Sequence, residues 1–269
     1  DESWALCINH SGVIGGFYVN TLTGDHAVQW SLFMGMYQWS DLGGDNSRVF
    51  GINDAGTVVG LAYIGGYSHA YVKPQGGEGY DLGIPPGYIE SRATGINQAN
   101  TIVGYLSDAD GITTACFWTP SGDSYTAAAP LFGIANTRAF AINNPGQAVG
   151  SLKLSDSDFH AVLKSPGHGL QDLGTLLGGP GGQSVAFDIN DSGWVVGWSS
   201  YYDGPRAVLW TPSGGIQDLN TLAVNLPPGV KLDEAHSINQ RGEIAGYTMN
   251  SVFKLTPLGD PPYSLLLSD

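Results

Sequence analysis

Three arginines recur at one register of this chain. An Ile-Asn pair begins at Ile8, Ile52, Ile96, Ile142, Ile189 and Ile238, and four residues ahead of it the copies read Trp4, Arg48, Arg92, Arg138, Val185 and Glu234. A guanidinium is a planar fork of donors that matches a carboxylate or a sulfate. Arginines gathered on one rim of an acidic protein therefore suit an anionic ligand. Arg206, which opens a later block of the repeat, is expected on the same face. The alternative makes each arginine a strut paired with a nearby acid, such as Asp45, Glu90 or an Asp of the repeat.

Other side chains of the variable segments could do chemistry. His236 stands two residues before Ile238, where the other copies carry Leu6, Phe50, Thr94, Phe140 and Phe187. It is read as a candidate base or as a hydrogen-bonded core residue. Tyr88, Tyr201 and Tyr202 are further candidate bases, and with Trp4 and Trp198 they could stack on sugar rings. A lyase acting on a uronate needs its carboxylate neutralised and a base to take the proton. A hydrolase needs two carboxylates at a set separation, for which Glu90, Asp203 and Glu234 are available.

The elements that must position these residues come from a repeat. CINHSGVIGG, GINDAGTVVG, GINQANTIVG, AINNPGQAVG, DINDSGWVVG and SINQRGEIAG follow one another at intervals of 44 to 49 residues. Each is followed by a block of the type HAVLKSP, and four copies then carry Asp-Leu, at Asp41, Asp81, Asp172 and Asp218. Tight Asn-, Asp- and Gly-rich turns separate four short strand candidates per copy, A to D. No segment shows a helical period. Four strands in about 45 residues match one propeller blade, so the expected fold is all-β, a six-bladed β-propeller with four antiparallel strands per blade. The expected domain is single, residues 1–269, with blades near 1–43, 44–87, 88–133, 134–180, 181–229 and 230–269. The A–B and C–D turns are short and uniform. The B–C and D–A loops vary, and they are expected to surround the mouth of a central channel.

These blocks resemble the HAF-repeat family of extracellular proteins, which combines a His-Ala-Phe-like strand, an Asp-Leu-Gly turn and an Ile-Asn-x-x-Gly-x-Val-Val-Gly hairpin. The match spans essentially the whole chain and is fullest over HAVLKSPGHGLQDLGTLLGGPGGQSVAFDINDSGWVVGW. The last copy departs most, lacking His-Ala and Asp-Leu. The resemblance implies a β fold and an extracellular or periplasmic location. It implies no reaction and no set of functional residues.

Composition narrows the partners. Twenty-four acidic residues stand against 10 basic ones, a formal net charge of −14. Such a chain repels phosphate backbones and anionic lipid, so neither nucleic acid nor a membrane is expected as a partner. No signal-peptide pattern opens the stretch at Asp1. The repeated histidines His26, His69 and His160 and the repeated Asn and Asp are read as scaffold. Cys7 and Cys116 are read as free buried thiols. No cofactor and no metal is expected. The expectation is a secreted monomer that binds an acidic glycan or another anionic small ligand at the channel mouth. The alternative is a polysaccharide lyase or glycoside hydrolase acting on an acidic polysaccharide.

Overall fold

The computed structural model describes all residues except 1, 34–35, 123, 156–157, 179–180, 260–262 and 269, and only the backbone of strand residues 32–33, 36–45 and 263–268. The chain falls into two compact units, Asp1–Ala139 and Phe140–Asp269.

The first unit carries three sheets. The strands of the first are Ser3–Ile8, Ile14–Asn20, Gly24–Phe33 and Met36–Asp45; those of the second are Arg48–Ile52, Val58–Ile64, Tyr67–Lys73 and Tyr80–Asp81. The third uses Glu90–Ile96, Ile102–Ser107, Thr113–Trp118 and Ala129–Pro130, with a small hairpin, Pro120–Ser121 and Ser124–Tyr125, set between its last two strands. The strand Thr137–Ile142 crosses the division and opens the fourth sheet, completed by Ala148–Lys153, Phe159–Lys164 and Leu170–Asp172. In the second unit follow Ser184–Ile189, Val195–Tyr201, Gly204–Thr211 and Gly215–Asp218, then Glu234–Ile238, Ile244–Tyr247, Val252–Pro257 and Tyr263–Ser268. The last sheet gains a fifth strand, Ala223–Val224, paired in parallel with Tyr263–Ser268. Six sheets of consecutive antiparallel strands A to D make the fold all-β, a six-bladed β-propeller.

The repeat residues explain how each blade holds its shape. The Asn after each anchoring Ile closes its own turn: Asn53 Oδ1 accepts from Thr57 N at 3.0 Å, and Asn9, Asn97, Asn143, Asn190 and Asn239 do the same four residues on. Their amide groups also link neighbouring blades. In the first unit Asn9 Nδ2 donates to Asn53 O and Asn53 Nδ2 to Asn97 O, at 3.1 and 3.3 Å. In the second, Asn143 donates to Asn190 O and Asn190 to Asn239 O, at 3.0 and 3.2 Å. The turn needs a left-handed residue. Glycine supplies it at Gly12, Gly56, Gly146, Gly193 and Gly242; the third copy uses Asn100 at φ 59°, a residue that tolerates this region.

Strand A bulges in every blade whose pairing register is described. The pairing skips Leu6, Phe50, Thr94, Phe187 and His236. A bulge re-aims the side chain it frees. It also drives a strand-A carbonyl towards strand B. A Cβ on Gly16, Gly60, Gly104, Gly197 or Gly246 would overlap the carbonyl oxygen of Trp4, Arg48, Arg92, Val185 or Glu234 respectively. The glycine closing each Val-Val-Gly run is there for that reason.

A hydroxyl at the start of strand A fastens blade to blade. Ser47, Ser91, Thr137 and Ser184 accept from the backbone N of Ala27, Ala70, Ala115 and Ala161 at 2.8 to 3.0 Å. The alanines are those of the His-Ala block, so this bond fixes how strand A of one blade lies along strand C of the preceding one.

Candidate functional site

In the first unit the arginine positions form layers with strand-B side chains. Trp4 lies opposite Phe17 in the first sheet, with rings stacked at 6.3 Å, and the guanidinium of Arg48 lies 4.5 Å from the centre of the Phe17 ring. In the third sheet Arg92 lies opposite Tyr105. The guanidinium carbon of Arg92 is 5.9 Å from the Tyr105 ring centre, and that of Arg138 is 5.2 Å from it. One half-buried tyrosine therefore serves two arginines.

The arginines differ in how their charge is met. Arg48 is neutralised locally: its Nε donates to Asp25 Oδ2 at 2.6 Å, and its Nη2 pairs with the same oxygen. Among the described residues neither Arg92 nor Arg138 has a carboxylate partner, and Glu90, two residues back from Arg92, forms no ion pair with it. The Nε of Arg92 is buried without a hydrogen-bond acceptor. Such an orphan donor costs about 1–3 kcal/mol. Arg138 is exposed, Arg92 half-buried.

Tyr88 packs against the buried cluster that includes Ala93, Ile96 and Trp118. Tyr88 itself is half-buried. Cys7 and Cys116 are free thiols, and burial pushes Cys7 up to about 12.

In the second unit Arg206 is fully engaged. It pairs with Asp203 at 2.9 Å and Asp218 at 2.6 Å and lies 4.2 Å from the centre of the Tyr201 ring. The Asp203 hydrogen bond, with that of Asp218, raises the Arg206 pKa further, while the same contact lowers that of Asp203. Tyr202 is exposed, edge-on to Tyr201 at 5.1 Å. Trp198 meets Phe159 edge-on at 5.7 Å and lies opposite Val185. The long segment before the last blade is tied down: Asn220 donates to Leu232 O and accepts from Leu232 N, and Leu219 and Leu232 are fully buried.

The Arg206–Asp218 pair follows a pattern of the repeat. His69 pairs with Asp81 at 2.9 Å and His160 with Asp172 at 2.7 Å, each across the same 12-residue step. The repeated Asp also caps the next turn, accepting from Gly83 N, Gly174 N and Asn220 N. Among the described residues no three His, Cys, Asp or Glu side chains gather as a metal site.

Glu234 and His236 come together on strand A of the last blade. His236 Nε2 meets Glu234 Oε2 at 2.8 Å, its ring stacks on Phe187 at 4.3 Å, and Tyr247 stands edge-on at 4.9 Å. Phe187 in turn meets Phe140 at 6.1 Å. The bulged register thus carries a row of rings through the second unit. The alternative that pairs an arginine with an Asp of the repeat describes Arg206 and Asp218, whereas sequence reasoning missed Asp25 as the partner of Arg48.

No protein-family model and no curated protein sequence matches the chain. Solved structures do. TolB from Acinetobacter baumannii aligns over 96% of this chain and 64% of its own at 12% identity and a TM-score of 0.62. One of two prolyl endopeptidases aligns over 97% and 42%, at 12% identity and a TM-score of 0.57. The β-propeller domain of the Trilobed protease from Pyrococcus furiosus aligns over 99% and 93%, at 8% identity and a TM-score of 0.42. The chain spans less than two thirds of TolB or of the endopeptidase. At such identities the likeness is one of fold.

Proposed function

We propose that this protein binds an acidic saccharide, with Arg92 and Arg138 taking its carboxylate or sulfate groups beside Tyr105. The observation that carries this reading is the pair of arginines that lack counter-acids among the described residues and share one ring, in a chain of net charge −14. An acidic protein has carboxylates to spare, and elsewhere Arg48 and Arg206 use them. Two guanidinium groups near one ring repel each other, and an anionic ligand offsets that repulsion. The phenol of Tyr105 can hydrogen-bond a sugar hydroxyl, and the net charge disfavours nucleic acid as the anion. The resemblance to the HAF-repeat family supports an extracellular or periplasmic location, where such glycans are met.

Calorimetric titration with trigalacturonate tests this. Arg138→Ala is expected to weaken binding about tenfold or more, as loss of a hydrogen bond to a charged group does, and to flatten its salt dependence. Equal affinity for the variant and the wild type would overturn the reading.

A second reading has one observation in its favour. The Glu234–His236 pair is the arrangement in which a carboxylate orients an imidazole as a base. Against a uronate, His236 would take the proton beside the carboxylate as the glycosidic oxygen leaves. Release of unsaturated product, followed by ultraviolet absorbance, separates this lyase from a binder. Glu234→Gln would then slow turnover and leave binding in the first unit intact.

A further inference from the structure

The first blade shows what the second and third lack. The hydroxyl bonds Ser47–Ala27, Ser91–Ala70 and Thr137–Ala115 set the three joints in one register. In that register Arg48, Arg92 and Arg138 are equivalent, since each follows its hydroxyl residue. The residue two before each alanine is equivalent too: Asp25, Ser68 and Thr113. At the first joint Asp25 Oδ2 accepts from Arg48 Nε. At the second, with Ser68 in that place, Arg92 Nε is buried without an acceptor. At the third, with Thr113 there, Arg138 is exposed and lacks a carboxylate among the described residues.

We propose that the residue two before the strand-C alanine selects which arginines are open to ligand: Asp25 masks Arg48 with a built-in carboxylate, whereas Ser68 and Thr113 leave Arg92 and Arg138 open. A ligand carboxylate then sits on Arg138 as Asp25 sits on Arg48, and a second one meets the terminal nitrogens of Arg92, whose Nε is buried. This rests on the binding reading above for the ligand, but not for the masking. It narrows the ligand to one with two carboxylates, as successive uronates have. Asp25→Ser would add a third open arginine at the neighbouring joint.

Two measurements test the two parts separately. The first uses no ligand: hydrogen exchange at arginine Nε–H, followed by nuclear magnetic resonance. In the wild type the Arg48 proton is expected to exchange about tenfold more slowly than that of Arg138, the factor that a bond worth about 1.4 kcal/mol supplies. Thr113→Asp should slow Arg138 to the rate of Arg48, and Asp25→Ser should speed Arg48. Equal rates for Arg48 and Arg138 in the wild type, or no change in Thr113→Asp, would overturn masking.

The second measurement is titration with trigalacturonate and with the monomer galacturonate. Thr113→Asp is expected to lose about tenfold in affinity for the trimer, while Thr113→Asn, which matches its shape without its charge, keeps wild-type affinity. Asp25→Ser should bind the trimer more tightly. If Thr113→Asp and Thr113→Asn behave alike, or if the monomer binds as well as the trimer, the inference fails. If neither probe binds the wild type while the exchange rates follow the expected order, masking stands and the saccharide reading falls.

Discussion

A half-buried carboxylate gives this protein a pH dependence of its own. Asp188 stands where the other copies carry Cys7, Gly51, Gly95, Ala141 and Ser237. It accepts from Ile238 N and Ile189 N at 2.8 Å and from Ser237 Oγ at 3.1 Å. Burial outweighs these bonds and lifts its pKa from 3.8 to about 6. The folded state therefore holds the proton more tightly than the unfolded chain. The sign follows: stability from this group is complete below about pH 4 and is lost as the pH rises towards 6, by about 3 kcal/mol at most. Wild-type protein should gain melting temperature between pH 7 and pH 5 relative to Asp188→Asn, measured by calorimetry at both values. Parallel pH profiles for the two proteins would refute the assignment. Loss of net negative charge on acidification acts in the same direction, and comparison with the variant cancels it. The residue scale is also where sequence reading was weakest. Nothing local marks Asp25 as the partner of Arg48, 23 residues away, because that distance closes only once two blades are in register. Tyr88, a loop residue in the sequence reading, is half-buried and packs against a core cluster. Glu234 and His236 are both named from the sequence, but their pairing is not, because it depends on the bulge at His236.

Elements in this fold are shaped by the strand-A bulge and the glycine facing it. Gly104→Ala would put a methyl group onto the Arg92 carbonyl oxygen. It should cost about 3 kcal/mol or more in denaturant unfolding, and it would displace Arg92 as well. Gly111→Ala is the control: its Cβ meets nothing within 4 Å, and only the φ of +77° opposes it, a penalty of about 1 kcal/mol. The Asn turns make a second comparison. Asn190 is buried and bonds both its own turn and Asn239 O, whereas exposed Asn239 turns its amide to its own Glu243 at 2.6 Å. Asn190→Ala should destabilise by about 2–3 kcal/mol and Asn239→Ala by about 1 kcal/mol. Equal losses would show that the link between blades contributes nothing. The strands and turns themselves were legible because the repeat samples them six times, so one weak copy is read through five others. The bulge was not, because it exists only in the pairing of two strands. Nor were the added hairpin Pro120–Ser121/Ser124–Tyr125 and the parallel strand Ala223–Val224, which occur once each and lie outside the period.

At the scale of the molecule, charge sets how a ligand arrives. A net charge of −14 opposes the approach of any polyanion, and salt screens that repulsion over about 10 Å at 0.1 M. The contacts at Arg92 and Arg138 are short-range and weaken with salt. Added salt should therefore raise the association rate for trigalacturonate and raise the dissociation rate more. Stopped-flow mixing at two salt concentrations resolves the two, and Arg138→Ala should remove most of the second effect while keeping the first. A fall in association rate with salt would show that a local basic field, rather than the net charge, governs the encounter.

The links between blades have a further consequence for how such a chain can change. The second and fifth copies carry both parts of the joint, the amides of Asn53 and Asn190 and the hydroxyls of Ser47 and Ser184, each offered to a neighbour. A duplicated or deleted copy would bring its joints with it, so copy number can drift by unequal recombination without repair elsewhere. The residue two before the alanine takes no part in either bond. Specificity can thus be rewritten there one copy at a time, while the machinery of assembly is inherited unchanged.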